Sequence, residues 1–368
     1  MASPWVQGGG SADKNFEGAN YQTQEEYAPK RTFGQKAKRH CAKFWWLHLI
    51  LFCLIFLIVA LLVVYVGMPK IAQHDVDDSR LDFREAFFLN PTADSIQVTQ
   101  KAVLRNPSTF TPTLDPFPAE LFLVTNGTYA AVSMLTLPMP GIHAKKQTPT
   151  SIDNVVTKVN SIDALGDYAV AVMNNEHITT ALVGRTKLHL GKLPTQKVTF
   201  NSTSTYKGLN GLKGFNTTDV LINPGAAPGT PNLRGNAFIP NPSLMTIEMG
   251  NVSLSIAVPI KGVSTVVGNA TILDFKIVPG DNRLPMFGII DNAKILPALV
   301  DGKVNMTIVG QTAVRNGEHL IYYEKSLQTN VLVLEMNVQQ VLADSAAAAK
   351  AAAGAGNSTT ATNTPLLA

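Results

Sequence analysis

Cysteine is nearly missing. The 368-residue chain has Cys41 and Cys53 and no other. Neither lies beyond residue 66, so the larger part of the chain has no disulfide scaffold and no thiolate zinc site. A segment of that length buries an adequate core without such staples. Charge is scarce too, at 15% of residues, and it is unevenly placed. Seven Lys/Arg stand against four Asp/Glu before residue 44, and 23 against 22 after residue 66. The near-neutral C-terminal part gives nucleic acid no electrostatic footing. Catalytic signatures are also wanting: there is no H-E-x-x-H, no G-x-S-x-G and no P-loop. His74, His143, His177, His189 and His319 stand without a second His or Cys at ligand spacing. His189, between Leu188 and Leu190, reads as the outer face of a strand. Gly208–Gly214 is glycine-rich, but Phe215-Asn-Thr-Thr follows where a phosphate loop needs Gly-Lys-Ser/Thr, so it reads as a turn.

What the chain does have is one long apolar run. Phe44–Val66 is 23 residues whose only strongly polar member is His48. Fifteen of the residues in Leu49–Val66 are Leu, Ile, Phe or Val, which supply about −5 to −9 kcal/mol of insertion free energy. As a helix the run spans about 34 Å, enough for the hydrocarbon core with some tilt. Trp45, Trp46 and His48 mark one interface and Tyr65 the other. A cleaved signal peptide starts nearer the N-terminus and has a shorter core, so a retained span is expected. Lys30, Arg31, Lys36, Lys38, Arg39 and Lys43 precede the run, and Lys70 and Arg80 follow it among Asp75, Asp77 and Asp78. That bias keeps the N-terminus in the cytosol and translocates the rest. Seven sequons beyond the run are candidate N-glycosylation sites: Asn126, Asn201, Asn216, Asn251, Asn269, Asn305 and Asn357. Cys41 is a candidate palmitoylation site beside the span. The basic stretch before it either attracts anionic cytosolic lipid or only sets topology.

Beyond the run the pattern is period two. Val252, Leu254, Ile256 and Val258 alternate with Ser253, Ser255 and Ala257, and Val304, Met306 and Ile308 with Asn305 and Thr307. Val198 and Phe200 open another such strand. Asn126-Gly127 between two apolar stretches predicts a hairpin. Ile162, Leu165, Ala169, Val172 and Met173 recur at helical spacing behind Ser161, a suitable N-cap. Three pairs of short blocks suggest an internal duplication. Ala102–Ser108 resembles Ala237–Ser243, and Val132–Pro138 resembles Val252–Pro259. Ala181–Gly184, with the strand ending at Gly191, resembles Ala298–Gly302, with the strand ending at Gly310.

The Asn106-Pro-Ser and Asn241-Pro-Ser turns at strand ends resemble those of late-embryogenesis-abundant type 2 domains, also called water-stress and hypersensitive-response domains. Each proline cannot donate to a ladder and holds the asparagine before it extended, so the strand ends in a fixed bend. The whole layout resembles a fungal branch, the domain of unknown function 3712, with Asn106-Pro-Ser to Asp115-Pro-Phe-Pro-Ala-Glu-Leu121 the best local match. The resemblance covers residues 44–341 and implies seven- or eight-stranded antiparallel sandwiches with a small helix. It also implies a vacuolar or secretory-pathway membrane, no established enzyme activity and a groove for lipid or another apolar ligand.

The expected class is therefore all-β: two tandem antiparallel β-sandwich modules, a small helix in each, on one N-terminal transmembrane helix. The expected order is a disordered basic tail (1–43), the span (44–66), a stem (67–81) and a first module (82–222). A Pro/Gly linker (223–234), a second module (235–342) and a low-complexity tail (343–368) complete it. No catalytic, cofactor or metal residue is expected. Partners are the bilayer and a luminal lipid or protein ligand, not nucleic acid, and nothing in the sequence specifies an oligomeric state. A non-enzymatic luminal binding or scaffold protein is the first reading. A type II glycosyltransferase using Asp75-Val-Asp77-Asp78 to hold a divalent cation is the second, against which the stretch reads as a solvated acidic stem. A cell-surface structural protein is the third.

Overall fold

The computed structural model describes residues 33–227 and 229–356. The chain divides into two units, Met1–Leu61 and Leu62–Ala368. The first contains helix α1 (Phe33–Leu62), whose backbone leaves helical geometry at Phe44, where the basic flank gives way to the apolar run. The segment 33–43, expected within a disordered tail, is thus helical, and residues 1–32 lie outside the described ones. A wider π turn, Val63–Gly67, carries the chain into helix α2 (Met68–Asp77). Among the described residues this is the one helix long and apolar enough to cross a membrane, with a mean hydropathy of 3.4 in its most apolar window.

Fourteen strands longer than two residues make up most of the second unit. The first seven are β1 (Arg80–Leu89), β2 (Ser95–Arg105), β3 (Phe117–Thr125), β4 (Leu135–Met139), β5 (Gln147–Lys158), β6 (His177–His189) and β7 (Gln196–Lys207). The second seven are β8 (Asn216–Ile222), β9 (Leu233–Asn241), β10 (Met245–Ile260), β11 (Val263–Ile277), β12 (Gly280–Ile290), β13 (Lys303–Arg315) and β14 (Val331–Asn337). Helix α3 (Ile162–Asn174) joins β5 to β6, and α4 (Asn292–Ile295) lies between β12 and β13. Helix α5 (Ile321–Thr329) precedes β14 and α6 (Val338–Gly356) follows it.

The predicted alternation is realised. Val252, Leu254, Ile256 and Val258 are buried along β10, and Val304, Met306 and Ile308 along β13. Asn126 and Gly127 both take positive φ, 51° and 77°, as a two-residue hairpin turn requires. Ser161 caps α3 by accepting from Ala164 N–H at 3.2 Å. Leu165, Ala169, Val172 and Met173 are buried as expected, but Ile162, at the first helical position, faces water.

The two runs of strands share one pairing scheme. In the first, β2 pairs with β1 and β5, β3 with β4 and β6, and β6 with β7. In the second, β9 pairs with β8 and β12, β10 with β11 and β13, and β13 with β14. All of these are antiparallel. A short parallel contact, Ala86–Phe88 of β1 with Met245–Ile247 of β10, ties the runs together. Two sheets result. One gathers β1, β2 and β5 with the whole second run, and the other gathers β3, β4, β6 and β7.

Four expectations need correction. The Pro/Gly stretch after Ile222 is the loop of the β8–β9 hairpin rather than a linker between modules, so β8 pairs within the second run. The expected stem is a docked helix, α2, with Ala72 and Val76 buried. The alanine-rich stretch after residue 343 continues α6, as the strongest helix former should, and Ser345 Oγ accepts from Ile222 N–H at 2.9 Å. Of the three repeated blocks, only Ala102–Ser108 and Ala237–Ser243 fall at matching strand positions. Val132–Pro138 ends in β4 while Val252–Pro259 lies in β10, and Ala181–Gly184 lies inside β6 while Ala298–Gly302 precedes β13.

Candidate functional site

An apolar cleft lies where α2 meets the first run. Pro69 sits in the first turn of α2, where its missing N–H costs nothing. The Gln73 carboxamide then does the work of a neighbouring strand. Its Nε2 donates to Thr199 O at 2.8 Å and its Oε1 accepts from Thr199 N–H at 2.9 Å, closing the outer edge of β7. Further bonds fix the exit from α2. Ser79 Oγ donates to Asp75 O at 2.9 Å, and Leu81 N–H donates to Ser202 Oγ at 2.8 Å. Ser204 Oγ donates to Leu81 O. Met68, Ile71 and Asp75 share the next face of α2 and look across a cleft of about 80 Å³ at Phe110, Leu190 and Leu193.

The interior cavities are small. One interior cavity of about 20 Å³ lies beside Tyr168, Met245 and Tyr323, and another of about 10 Å³ beside Leu254, Met286 and Met306. Each is about the size of one water and too small for an acyl chain.

The two Asn-Pro-Ser turns are built alike. At each, the asparagine Oδ1 accepts from the serine N–H two residues on, at 3.0 Å. Each asparagine Nδ2 donates to the carbonyl four residues on: Asn106 to Phe110 O at 2.9 Å and Asn241 to Met245 O at 2.8 Å. Each serine Oγ accepts from the N–H two residues further, Phe110 or Met245, at 3.1 Å. Both asparagines are buried. The turns differ in what else they hold. Asn106 also donates to Ala144 O at 3.1 Å, and Ser108 Oγ donates to Asp75 Oδ2 at 3.0 Å, whereas Ser243 Oγ turns back to Asn241 Oδ1 at 2.6 Å.

The acidic stretch does not converge. Asp75 faces Ser108, Asp77 accepts from Gln73 Nε2 at 2.7 Å, and Asp78 pairs with His74 at 3.3 Å. Residues two apart on a helix point to different sides, so Asp75 and Asp77 cannot grip one cation. Among the described residues, no group of three or more His, Cys, Asp or Glu side chains is placed to hold a metal ion.

His189 is engaged rather than free on its strand face. Its Nε2 lies 3.0 Å from Asp115 Oδ1 and its Nδ1 3.2 Å from Thr195 Oγ1. This hydroxyl–imidazole–carboxylate row has the order of a nucleophilic triad. However, His189 and Asp115 are 42% and 43% exposed, and Thr195 lies in the open β6–β7 turn. The row ties that turn to the entry of β3. His143 Nδ1 meets Thr113 Oγ1 at 3.0 Å, and His319 Nδ1 meets Glu324 Oε1 at 2.6 Å.

The glycine-rich turn after β7 has its donors already in use. Leu209 N–H donates to Val172 O at 2.7 Å and Asn210 N–H to Asn175 O at 3.1 Å, so the segment caps the C-terminus of α3. A Cβ at Gly208 would lie 2.4 Å from Asn175 O, which explains the glycine without a phosphate.

Of the sequons, Asn126, Asn216, Asn251, Asn269 and Asn305 are exposed. Asn201 is half-buried and accepts from Tyr129 Oη at 3.0 Å. Asn357 and the side chain of Cys41 lie outside the described residues.

Residues 132–256 match the family model described as protein of unknown function (DUF3712). The DUF3712 match is narrower than the resemblance over 44–341. It leaves out Asn106-Pro-Ser and takes in Asn241-Pro-Ser, running from before β4 into β10 and so across both runs of strands. No curated protein matches the chain. Among solved structures, a solution structure from Arabidopsis thaliana is 18% identical, over 33% of this chain and 77% of that one, with a TM-score of 0.22. A crystal structure from Archaeoglobus fulgidus is 13% identical, over 33% and 93%, with a TM-score of 0.20. Red sea bream transglutaminase is 10% identical, over 70% and 31%, with a TM-score of 0.24.

Proposed function

We propose that the chain is a non-enzymatic, membrane-anchored binding or scaffold protein whose β-rich part is luminal. The observation that carries this reading is the docking of α2. Gln73 and Asp75 fasten the helix that follows the apolar run directly to β7 and to the Asn106 turn, so this stretch is part of the β-rich unit rather than a loose stem. The basic flank before the run supports a cytosolic N-terminus, and the exposed sequons support a luminal remainder. The finer architecture is two seven-stranded β-sandwich modules in tandem, β1–β7 and β8–β14, arisen by duplication. The shared pairing scheme and the matched Asn-Pro-Ser turns support it. The likeness to late-embryogenesis-abundant type 2 domains rests on those same turns. A fungal source and a vacuolar or secretory-pathway membrane rest on the resemblance to DUF3712 proteins, and a cell-surface structural role differs from this reading in destination.

The lipid part of the reading attaches to the α2 cleft and not to the interior cavities, which are water-sized. The divergence of Asp75 and Asp77 supports the non-enzymatic reading over a glycosyltransferase.

The test is a C-terminally tagged full chain in sealed microsomes. Glycosidase should shift it on a gel, and added protease should leave the tag until detergent opens the vesicles. A tag digested without detergent, with no glycan at any sequon, would overturn the topology. Imaging the same tag separates the vacuolar from the surface destination.

A further inference from the structure

Three elements bring apolar side chains to the mouth of the α2 cleft and leave them in water. Ile71 of α2 is 46% exposed, Phe110 of the turn after β2 is 46% and Leu193 of the β6–β7 turn is 39%. Side chains of that size gathered at one rim mark an interaction surface. Its position narrows the partner. Ile71 comes five residues after Val66, the last of the apolar run, so it sits about 7.5 Å further along the helix. The headgroup layer outside the hydrocarbon core is about 5–8 Å deep on each side. Ile71 therefore falls at headgroup depth, and the bonds through Gln73 and Asp75 hold the other two side chains around the same cleft.

Charge agrees with that position. Lys70 adjoins Ile71 and Lys192 adjoins Leu193. Lys145 and Lys146 belong to the strip that holds the Asn106 turn, through Asn106 N–H to Lys146 O at 3.2 Å and Asn106 Nδ2 to Ala144 O. All four are exposed, and none pairs with a carboxylate among the described residues. The one carboxylate lining the cleft, Asp75, is engaged by Ser108. Apolar side chains ringed by unpaired lysines suit a phosphate-bearing lipid surface.

We propose that this end of the β-rich unit rests on the headgroup layer of the same bilayer that the apolar run crosses. Ile71, Phe110 and Leu193 enter the interface, and Lys70, Lys145, Lys146 and Lys192 meet lipid phosphates. The proposal rests on the reading of the apolar run as a span. It gives the unit a second attachment. β10 starts in parallel with β1 and runs on from Met245 to Ile260, so the β10–β11 tip lies roughly 50 Å along that strand from its contact with β1.

The experiment uses the full chain in phospholipid nanodiscs, with Cys41→Ser and Cys53→Ser and one nitroxide at a time on Ile55→Cys, Leu193→Cys or Val263→Cys. Collision with oxygen and with a water-soluble nickel chelate is read at each. At positions 55 and 193 oxygen should dominate, and at position 263 the nickel chelate should. Changing Lys70, Lys145, Lys146 and Lys192 to Glu together should raise nickel access at position 193 severalfold. Position 193 reading like position 263, while 55 stays lipid-like, overturns the docking. Position 193 shielded from both reagents also overturns it, because a protein then covers the cleft. Position 55 reading aqueous refutes the span itself, a separate failure.

Discussion

The first seven strands and the second seven follow one pairing scheme but are closed in different ways. In the second run β11 and β12 pair over five residues, Gly268–Ile272 with Met286–Ile290, so the strands form one continuous sheet. In the first, the equivalent β4 and β5 form no ladder: Leu135 bridges Val159, just past β5, and Thr157 Oγ1 donates to Thr136 O at 2.8 Å. The outer edges differ too. Gln73 of α2 covers β7, whereas the equivalent β14 leaves Val331 and Val333 exposed. The Asn-Pro-Ser turns repeat the contrast: Ser108 reaches out to Asp75, and Ser243 folds back on Asn241. The second run is closed by its own strands, and the first is completed by its neighbours. That is a physical reason for the first run to be the one that receives α2.

The largest effects are expected where both runs use glycine at one register. Gly184 faces Ala119 across β6 and β3, and Gly310 faces Leu254 across β13 and β10. A Cβ at Gly184 would lie 2.6 Å from the Phe117 ring and 2.7 Å from Pro118 O, and one at Gly310 would lie 2.6 Å from Leu327 Cβ. Gly184→Val should lose about 3 kcal/mol in a urea melt followed by the strand circular dichroism. Gly310→Val should lose less, because the short helix α5 can shift as a unit to relieve the clash with Leu327, whereas Gly184 meets a backbone carbonyl and a packed ring inside the sheet. A greater loss at Gly310 would break the contrast between a crowded first run and an adaptable second one. Next come the turns. Asn106→Ala and Asn241→Ala each orphan buried backbone groups and should cost about 2 kcal/mol. Only Asn106→Ala should speed protease cleavage at the α2–β1 junction.

That shared glycine was legible in the sequence and was missed. Ala181-Leu-Val-Gly-Arg-Thr186 and Thr307-Ile-Val-Gly-Gln-Thr312 occupy the same places in β6 and β13. Matching identical letters sets Ala181–Gly184 against Ala298–Gly302 instead, because letters alone carry no strand register. The span, the Asn126-Gly127 turn, the Ser161 cap and the alternation of β10 and β13 were all readable. Each depends on residues near in sequence. The docking of α2 was not readable, since Gln73 and Thr199 meet only through the fold and an acidic helix looks like a solvated stem. Proline and glycine after Ile222 marked a turn correctly and a domain boundary wrongly, because the same residues serve both.

A smaller effect concerns the buried phenols that link the runs. Tyr168 Oη and Tyr206 Oη are 3.0 Å apart, and Tyr323 of α5 lies beside them at the same cavity as Tyr168. Burial pushes all three hydroxyls above the ordinary tyrosine range. Their contribution is therefore fully present below the unfolded value of about 10 and is lost as pH rises from there towards the folded values. Stability should be level through neutral pH and fall in alkali. Tyr168→Phe should cost about 1 kcal/mol at neutral pH and flatten the alkaline fall. An unchanged alkaline slope in Tyr168→Phe, Tyr206→Phe and Tyr323→Phe alike would show that these phenols do not link the runs.

The smallest effect sharpens the comparison at the helix caps. α3 and α4 stand at equivalent places, between β5 and β6 and between β12 and β13, and each opens on a side-chain cap. Ser161 Oγ accepts from Ala164 N–H, and Asp291 Oδ1 accepts from Ala293 N–H at 3.1 Å and Lys294 N–H at 3.4 Å. Ser161→Ala should cost about 1 kcal/mol at every pH, since the hydroxyl does not titrate. Asp291→Ala should cost less, because α4 has only four residues to lose. Its cost should also depend on pH. The hydrogen bond from the Lys294 side chain, the main cause, holds the Asp291 carboxyl below the ordinary carboxylate range. A lowered value means the contribution is present above about pH 4 and is lost as pH falls through the folded value. Melts of wild type and Asp291→Ala should therefore converge in acid, while those of wild type and Ser161→Ala stay apart. If both pairs stay apart, the Asp291 cap works as a neutral acceptor like Ser161, and the two helices are capped by the same means after all.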